Sequence, residues 1–392
     1  MPPRSLRRGD RQPMPGAVRK GCPRPKALRF ASPFGGASPF GDGSYSGNIL
    51  QGGVPLQPQD YLLDGVTPLP HCIVVTSTAT VASDAQTGAA AFTCRNLVGI
   101  GAAVSLSAST NCKGLLGFVR GMAALRGGAH WHMDRLGRAG NFGDLSPADL
   151  LPARVRGRVS LERLLPYRVK ARGAEGGAAS SLSYGNGECY GNSGLAAGAM
   201  RTGGGGGGQA VNANTLGPGC RGGSGGCGGP CCGGAGGAPG YCQGSGGNAG
   251  DFGGPGGDTT APNWGQVSAV AGGGGDPAGI NNITPTYTFT IAQASAGGGL
   301  FLLFATQLDV GSGCLISADG SPGTVITGGP YGAVNGPGCG GGCVCIVTEP
   351  GGYHNSGTVR ASGGVHGDKQ PYYVSTAGDG GAGSVNIFEL AA

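Results

Sequence analysis

The segment GGLFLLFATQLDVGSGCLISADGSPG, residues 298–323, decides the fold because its layout recurs along the chain. It reads as a glycine-led apolar strand, a short turn, a second strand that begins with a small residue, and a glycine-rich exit. The same layout appears in GLLGFVRGMAALRGGAHWHMDRLGRAG (114–140) and GGCVCIVTEPGGYHNSGTVRASGG (341–364), and GSVNIFEL (383–390) forms a last half-unit. Short strands with glycine at the corners predict an all-β fold, either a short-strand β-solenoid or a layered β-sandwich.

The two strands of each copy keep a constant spacing. Equivalent positions lie fourteen residues apart: Leu115 and Ala129, Phe301 and Leu315, Val344 and Thr358. Further strands are predicted at 71–83 (HCIVVTSTATVAS), 92–100 (FTCRNLVGI) and 286–291 (TYTFTI) from their β-branched and aromatic residues. In AAVSLSAS (102–109), Val104, Leu106 and Ala108 alternate with serines, which indicates a strand with one buried face.

Composition excludes several classes of protein. Glycine supplies 89 of 392 residues, about 23% against roughly 7% on average. Charged residues are only 12% and apolar residues 39%, whereas disordered chains combine low hydrophobicity with high charge. The chain is therefore not expected to be disordered throughout. The sequence has no apolar run of 18 or more residues, so we expect no membrane-spanning helix.

The positive charge is confined to two short segments. Residues 1–30 carry a net charge of +8 and residues 151–172 carry +6, which leaves −8 for the rest of a chain whose total is +6. The body of the protein is therefore not expected to bind nucleic acid. Residues 1–30 are predicted to be a disordered basic arm or an over-extended start, with Met14 as an alternative beginning.

These patterns divide the chain into further regions. A turn-rich lead-in (31–70) precedes a β-repeat region (71–172), a glycine-rich region (173–285) and a C-terminal β-repeat region (286–392). Little helix is expected, because the one helical signal is the N-terminal pattern Ser146-Pro147-Ala148-Asp149 and Pro152 soon interrupts it. The arginines of 151–172 are interpreted as a solvated face.

Glycine is densest between residues 203 and 257, with 27 glycines in 55 residues. Parts of this run follow GGx triplets, and a three-residue period suits the extended polyproline II geometry. Such helices make no internal hydrogen bonds, so their N–H and C=O groups must pair with water or with neighbouring chains. We therefore predict polyglycine-II-like segments packed side by side, in which Gly225 and Gly228 would not tolerate valine.

The sequence offers few motifs for chemistry. The spacings of Cys227, Cys231, Cys232 and Cys242, and of Cys339, Cys343 and Cys345, lack the paired CxxC pattern typical of zinc sites. Disulfides and small buried thiols both stay open, and no metal or cofactor is expected. His130-Trp131-His132 places two histidines on one strand face, which we interpret as a surface or packed aromatic strip. No G-x-S-x-G or P-loop motif occurs.

Adaptable binding loops commonly combine tyrosine, serine, glycine and asparagine. The segment SYGNGECYGNSG contains Tyr-Gly-Asn twice. Its candidate ligand-contact residues are Tyr184, Asn186, Tyr190 and Asn192, and the alternative is an ordinary turn-rich loop.

The repeats GLLGFVRGMAAL-RGG, GGLFLLFATQLDVGSG and GGGCVCIVTEPGG, flanking long GGxGG tracts, resemble the glycine-rich structural proteins of tailed phages and large DNA viruses. They also resemble tail-fibre adhesins that pack polyglycine helices into a sandwich. The resemblance covers roughly residues 70–392. The fourteen cysteines and the basic segment 151–172 depart from what a phage tip would contain.

This resemblance implies a non-enzymatic structural or surface protein of a virion, in a capsid, tail or fibre. Its expected partners are copies of itself, as a homo-oligomer, other virion proteins, and a host-surface glycan. The alternatives are a secreted glycine-rich protein of a cell wall or extracellular matrix and a β-helical carbohydrate-active enzyme. The enzyme is disfavoured because no clustered pair of carboxylates recurs between repeats.

Overall fold

The structure is a computed structural model that describes residues 38, 40–83, 90–110, 112, 114–137, 297–322, 338–365 and 379–390, together with five short strands outside these ranges. These residues form strands and no helix, so the protein is all-β over its described part. No helix there is long and apolar enough to cross a membrane. The predicted helix start at Ser146, the strand 286–291 and, apart from strand residues 210–212, the glycine run 203–257 lie outside the described residues.

Most strands belong to two sheets. In spatial order, the first sheet contains β1 (Lys26–Leu28), β21 (Ser384–Leu390), β18 (Cys343–Thr348), β14 (Leu300–Val310), β10 (Leu115–Arg126), β8 (Asn96–Ile100), β5 (Thr67–Val75) and β4 (Gln59–Leu63), with β19 (Tyr353–Asn355) beside β14 and β7 (Ala90–Cys94) beside β10. The second contains β20 (Thr358–Arg360), β15 (Leu315–Ser317), β11 (His130–His132), β9 (Ser105–Ala108), β6 (Ala79–Val81), β2 (Ile49–Gln51) and β3 (Val54–Pro55). Two further pairs are β12 (Ser180–Leu182) with β13 (Ala210–Asn212), and β16 (Val325–Ile326) with β17 (Val334–Asn335).

The chain passes repeatedly from the first sheet to the second. The described residues contain five such units, from β5 to β6, from β7 and β8 to β9, from β10 to β11, from β14 to β15, and from β18 and β19 to β20. Strands of successive units pair in parallel in both sheets. Antiparallel pairs join β4 to β5 and β2 to β3 and β6, so both sheets are mixed.

The register follows the sequence repeat in the first sheet. Leu115 of β10 pairs with Phe301 of β14, and Phe301 pairs in turn with Val344 of β18. In the second sheet the predicted equivalence of Ala129 with Leu315 is wrong by one residue, because His130 is the residue that pairs with Leu315. The reason is a register shift between Val119 and Met122, where β10 contains one residue more than β14.

Two predicted strands are each divided. Residues 71–83 contribute to β5 and β6, which belong to different sheets, and residues 92–100 are interrupted at the exposed Arg95. The lead-in 31–70 contains β2, β3, β4 and the first residues of β5. The two predicted β-repeat regions are neighbours, since β10 of the first pairs with β14 of the second.

The main core lies between the two sheets. Val104, Leu106 and Ala108 are buried there as their alternation predicts, and Trp131 is fully buried beside them. The central strands of the first sheet are buried on both faces, and all six residues of β18 are buried. Burial on both faces is typical of parallel strands and explains why β14 and β18 are nearly continuous apolar runs.

Glycine-rich segments flank the C-terminal strands: residues 297–299, 338–342 and 379–383 precede β14, β18 and β21, and residues 318–322 and 361–364 follow β15 and β20. We call residues 297–299, 318–322, 338–342, 361–364 and 379–383 the glycine layer; none of them forms a strand. Segment 338–342 makes backbone hydrogen bonds to all four others: Gly298 N–H to Gly340 O (3.0 Å), Gly342 N–H to Ala318 O (2.7 Å), Gly364 N–H to Cys339 O (2.7 Å) and Gly341 N–H to Gly381 O (2.9 Å). Bonds to neighbours on several sides satisfy backbone groups that have no partner within their own segment.

The segments of this layer approach more closely than side chains permit. A Cβ on Gly364 would overlap the carbonyl oxygen of Ser321, and a Cβ on Gly383 would overlap that of Gly342. Glycine is therefore the packing surface of this layer. The similar packing predicted for residues 203–257 stays a prediction.

Candidate functional site

A polar cluster lies on the outer face of the second sheet. Alternation along β11 buries Trp131 in the core and leaves His130 and His132 on the opposite, half-buried face. Asp134 is the second residue after the end of the strand. Because His132 pairs with Ser317 and Ser317 with Arg360, the parallel register brings polar residues of three units together.

The side chains of the cluster are in close contact. The imidazole rings of His130 and His132 stack with centroids 4.4 Å apart. His130 Nε2 lies 2.6 Å from Ser317 Oγ and 3.4 Å from Asp134 Oδ2, and Ser317 Oγ donates a hydrogen bond of 2.7 Å to the same carboxylate oxygen. His132 Nδ1 is 3.9 Å from Asp134 Oδ2.

Backbone and ionic contacts hold this arrangement in place. The Asp319 N–H donates to Asp134 Oδ1 at 2.6 Å. The Asp319 carboxylate accepts from the Ser362 N–H at 2.7 Å and forms an ion pair with Arg360 at 2.8 Å. The cluster therefore links the ends of three successive strands, β11, β15 and β20.

Burial and neighbouring charges set the protonation states. Burial, reinforced by the adjacent His130, lowers the pKa of His132 and favours the neutral ring. Burial alone would raise the pKa of Asp134, but hydrogen bonds from His130, the Asp319 N–H and Ser317 outweigh it and lower the pKa. The cluster thus pairs a neutral imidazole with an ionised carboxylate.

Nucleophilic catalysis does not fit this geometry. In a Ser–His–Asp triad the serine and the aspartate contact different ring nitrogens. Here Ser317 and Asp134 both approach Nε2 of His130, and the hydroxyl donates to the carboxylate. A general acid of the glycosidase type needs a raised pKa, which is the opposite of what Asp134 has. Two imidazoles and a carboxylate are, however, a common ligand set for divalent metals.

A cleft of about 750 Å³ opens beside the bulge of β10 in the first sheet. Its lining includes Arg95, Arg120 and His71. The buried Asn96 shapes its floor, donating to Pro70 O at 2.7 Å and accepting from the Met122 N–H at 2.9 Å. Asp42 also lines the cleft, so its charged groups include a carboxylate as well as the two arginines.

The sequence identified part of this site. It placed His130 and His132 on one strand face, as the structure does, but passed over Asp134, only two residues further on. The sequence did not identify Ser317, Asp319 and Arg360, because their proximity depends on strand register. Alignment of the repeats equates Ser317 with Arg360 but is wrong by one residue for His132. Tyr184, Asn186, Tyr190 and Asn192 lie outside the described residues and stay predictions.

Several cysteines fill the core as small apolar side chains. Cys72, Cys94, Cys112 and Cys314 are buried thiols. Burial raises the pKa of Cys72 to about 12, and burial together with the nearby Cys72 raises that of Cys94 further. Thiolates are the reactive form, so these cysteines are expected to be inert in the folded protein.

We expect native chain at pH 8 to leave Cys72 and Cys94 unmodified by a thiol-specific alkylating reagent. Both should react completely in denaturant, as measured residue by residue with peptide mass spectrometry. Ser109→Cys supplies the control, because Ser109 is exposed and its replacement should react in the native protein. Modification of Cys94 at the rate of the control cysteine would contradict the packing described.

Comparison of the chain with protein-family models, with curated proteins and with solved structures finds no match.

Proposed function

We propose that this chain is a non-enzymatic structural or surface protein of a virus particle, a component of its capsid, tail or fibre. In this proposal the five units form a β-solenoid, and the glycine layer is a polyglycine-II-like body packed against it. Its partners are copies of itself and other virion proteins, with a host-surface glycan as a further ligand.

One observation carries the proposal: segment 338–342 bonds through its backbone to four other extended segments. Such packing needs no side chains and builds a rigid body from glycine, which suits a protein whose work is mechanical. The parallel units add continuous apolar sheets on the same framework. Buried thiols such as Cys94 favour assembly in a reducing compartment over a secreted wall protein.

The decisive experiment is fractionation of the source material. Virus particles purified on a density gradient should contain this chain at a fixed number of copies relative to the major capsid protein, as measured by quantitative mass spectrometry. Recovery only in cell-wall or matrix extracts would contradict the proposal. Light scattering of the purified chain should report a homo-oligomer, whereas a monomer at all concentrations would contradict self-assembly.

Thiol counting separates the two structural alternatives independently. The virion proposal expects all fourteen cysteines to titrate as thiols in denaturant without reductant. A wall or matrix protein would show disulfides instead, and would give a count that rises only after reduction.

A further inference from the structure

We propose that His130, His132 and Asp134 bind one divalent transition-metal ion, with zinc as the ion best matched by the ligands. This site goes beyond the proposed structural role and does not depend on it. One ligand atom from each of the three residues lies within 4.8 Å of the other two. All three belong to β11 or to the two residues that follow it, so a single local conformation presents them.

The spacing of the donor atoms agrees with tetrahedral coordination. Bonds of about 2.0–2.1 Å to nitrogen and oxygen place neighbouring ligand atoms about 3.3 Å apart. His130 Nε2 and Asp134 Oδ2 are 3.4 Å apart, and His132 Nδ1 is 3.9 Å from the same oxygen. The His132 nitrogen, which lies within 4.8 Å of the other two ligand atoms, would have to move closer to complete the set, and water would take the fourth position.

One donor of the set lacks a partner. His132 Nδ1 is buried and makes no hydrogen bond, and an unsatisfied buried polar atom carries a free-energy cost. A metal ion between His132 and Asp134 would satisfy it. The rings stack with centroids 4.4 Å apart at an interplanar angle of 28°, so the second imidazole is close by, and one ring would rotate to point its nitrogen lone pair at the same ion.

The surrounding contacts are those that a metal ligand needs. The Asp319 N–H holds Asp134 Oδ1 at 2.6 Å and leaves Oδ2 to face the histidines. The ion pair of Asp319 with Arg360 fixes that support in turn. Ser317 Oγ contacts both His130 Nε2 and Asp134 Oδ2. Its hydrogen bond with His130 would break when the ion binds, because the ion takes the same nitrogen.

The test is a zinc titration of the full chain after removal of metal with a chelator. We expect the double variant His130→Ala/His132→Ala to bind one equivalent of zinc fewer than the unchanged protein. His354→Ala is the matched control, because His354 is an exposed histidine on β19, and it should bind as the unchanged protein does. Equal stoichiometry in the double variant and the control would overturn the proposal.

Cobalt distinguishes this site from cysteine sites elsewhere in the chain. The visible absorption lost in the double variant should belong to nitrogen and oxygen ligation, without the intense near-ultraviolet bands of cobalt thiolates. If the lost absorption includes those bands, the proposed ligand set is wrong.

Two measurements keep the test valid if the double variant does not fold. Asp134→Asn preserves shape but removes charge, and should weaken zinc affinity by at least about tenfold. In the unchanged protein, zinc should shift the NMR signals of two of the five histidines. Unaltered affinity in Asp134→Asn, or no shifted histidine signal, would refute the site.

Discussion

Replacing Gly383 with alanine is expected to lower the free energy of unfolding by about 4 kcal/mol or more, which is a larger loss than most single substitutions cause. The added Cβ would overlap the carbonyl oxygen of Gly342 and lie 2.6 Å from that of Gly341. Both obstacles are backbone atoms, which cannot rotate aside as a side chain would. Displacing Gly342 would also strain its 3.0 Å hydrogen bond from the Ser384 N–H.

Chemical denaturation followed by circular dichroism measures this effect. The control is Gly313→Ala, at a turn where nothing lies within 4 Å of the added Cβ and φ is +74°. Alanine there meets only the left-handed backbone penalty, about 1–2 kcal/mol. If Gly383→Ala were as stable as Gly313→Ala, the glycine layer would not be packed as described.

Much of the fold could be predicted from sequence because the repeat determines the register. The apolar residues Leu115, Phe301 and Val344 are aligned by sequence and are neighbours in the first sheet. The bulge at Val119–Met122 was not predicted, although Gly121 lies within it and a glycine inside a strand often marks a bulge. It is nevertheless what makes His130, and not Ala129, the partner of Leu315.

The first two units were not recognised as copies because their turns contain fewer glycines than those of the third and fourth units. β5 to β6 and β7 to β9 follow the same path between the sheets, but their turns are TST (76–78) and GAAV (101–104), whereas the β10–β11 turn contains Gly127 and Gly128 and the β14–β15 turn contains Gly311 and Gly313. The polar cluster was likewise predicted only in part, through His130 and His132. A strand pattern predicts which residues share a face, whereas contacts with Ser317 and Arg360 depend on which units are neighbours.

Replacing Trp131 with alanine is expected to cost about 3–5 kcal/mol of folding free energy, the usual effect of removing a large buried aromatic side chain. Trp131 is fully buried in the main core. It lies in the second sheet between Leu106 and Ile316, its partners in the neighbouring strands. The matched control is Val66→Ala, a truncation at a residue 80% exposed, which should change stability by less than about 0.5 kcal/mol.

The fit between Trp131 and Gly99 makes this prediction specific. A Cβ on Gly99 would lie only 2.8 Å from the indole Nε1, so Gly99→Ala should be destabilising when tryptophan is present. In a Trp131→Phe background the smaller ring leaves space, and the same alanine should cost measurably less. Because Nε1 has no hydrogen-bond partner, Trp131→Phe itself loses no polar contact. Additive effects in this double-mutant cycle would show that the two residues are not in contact.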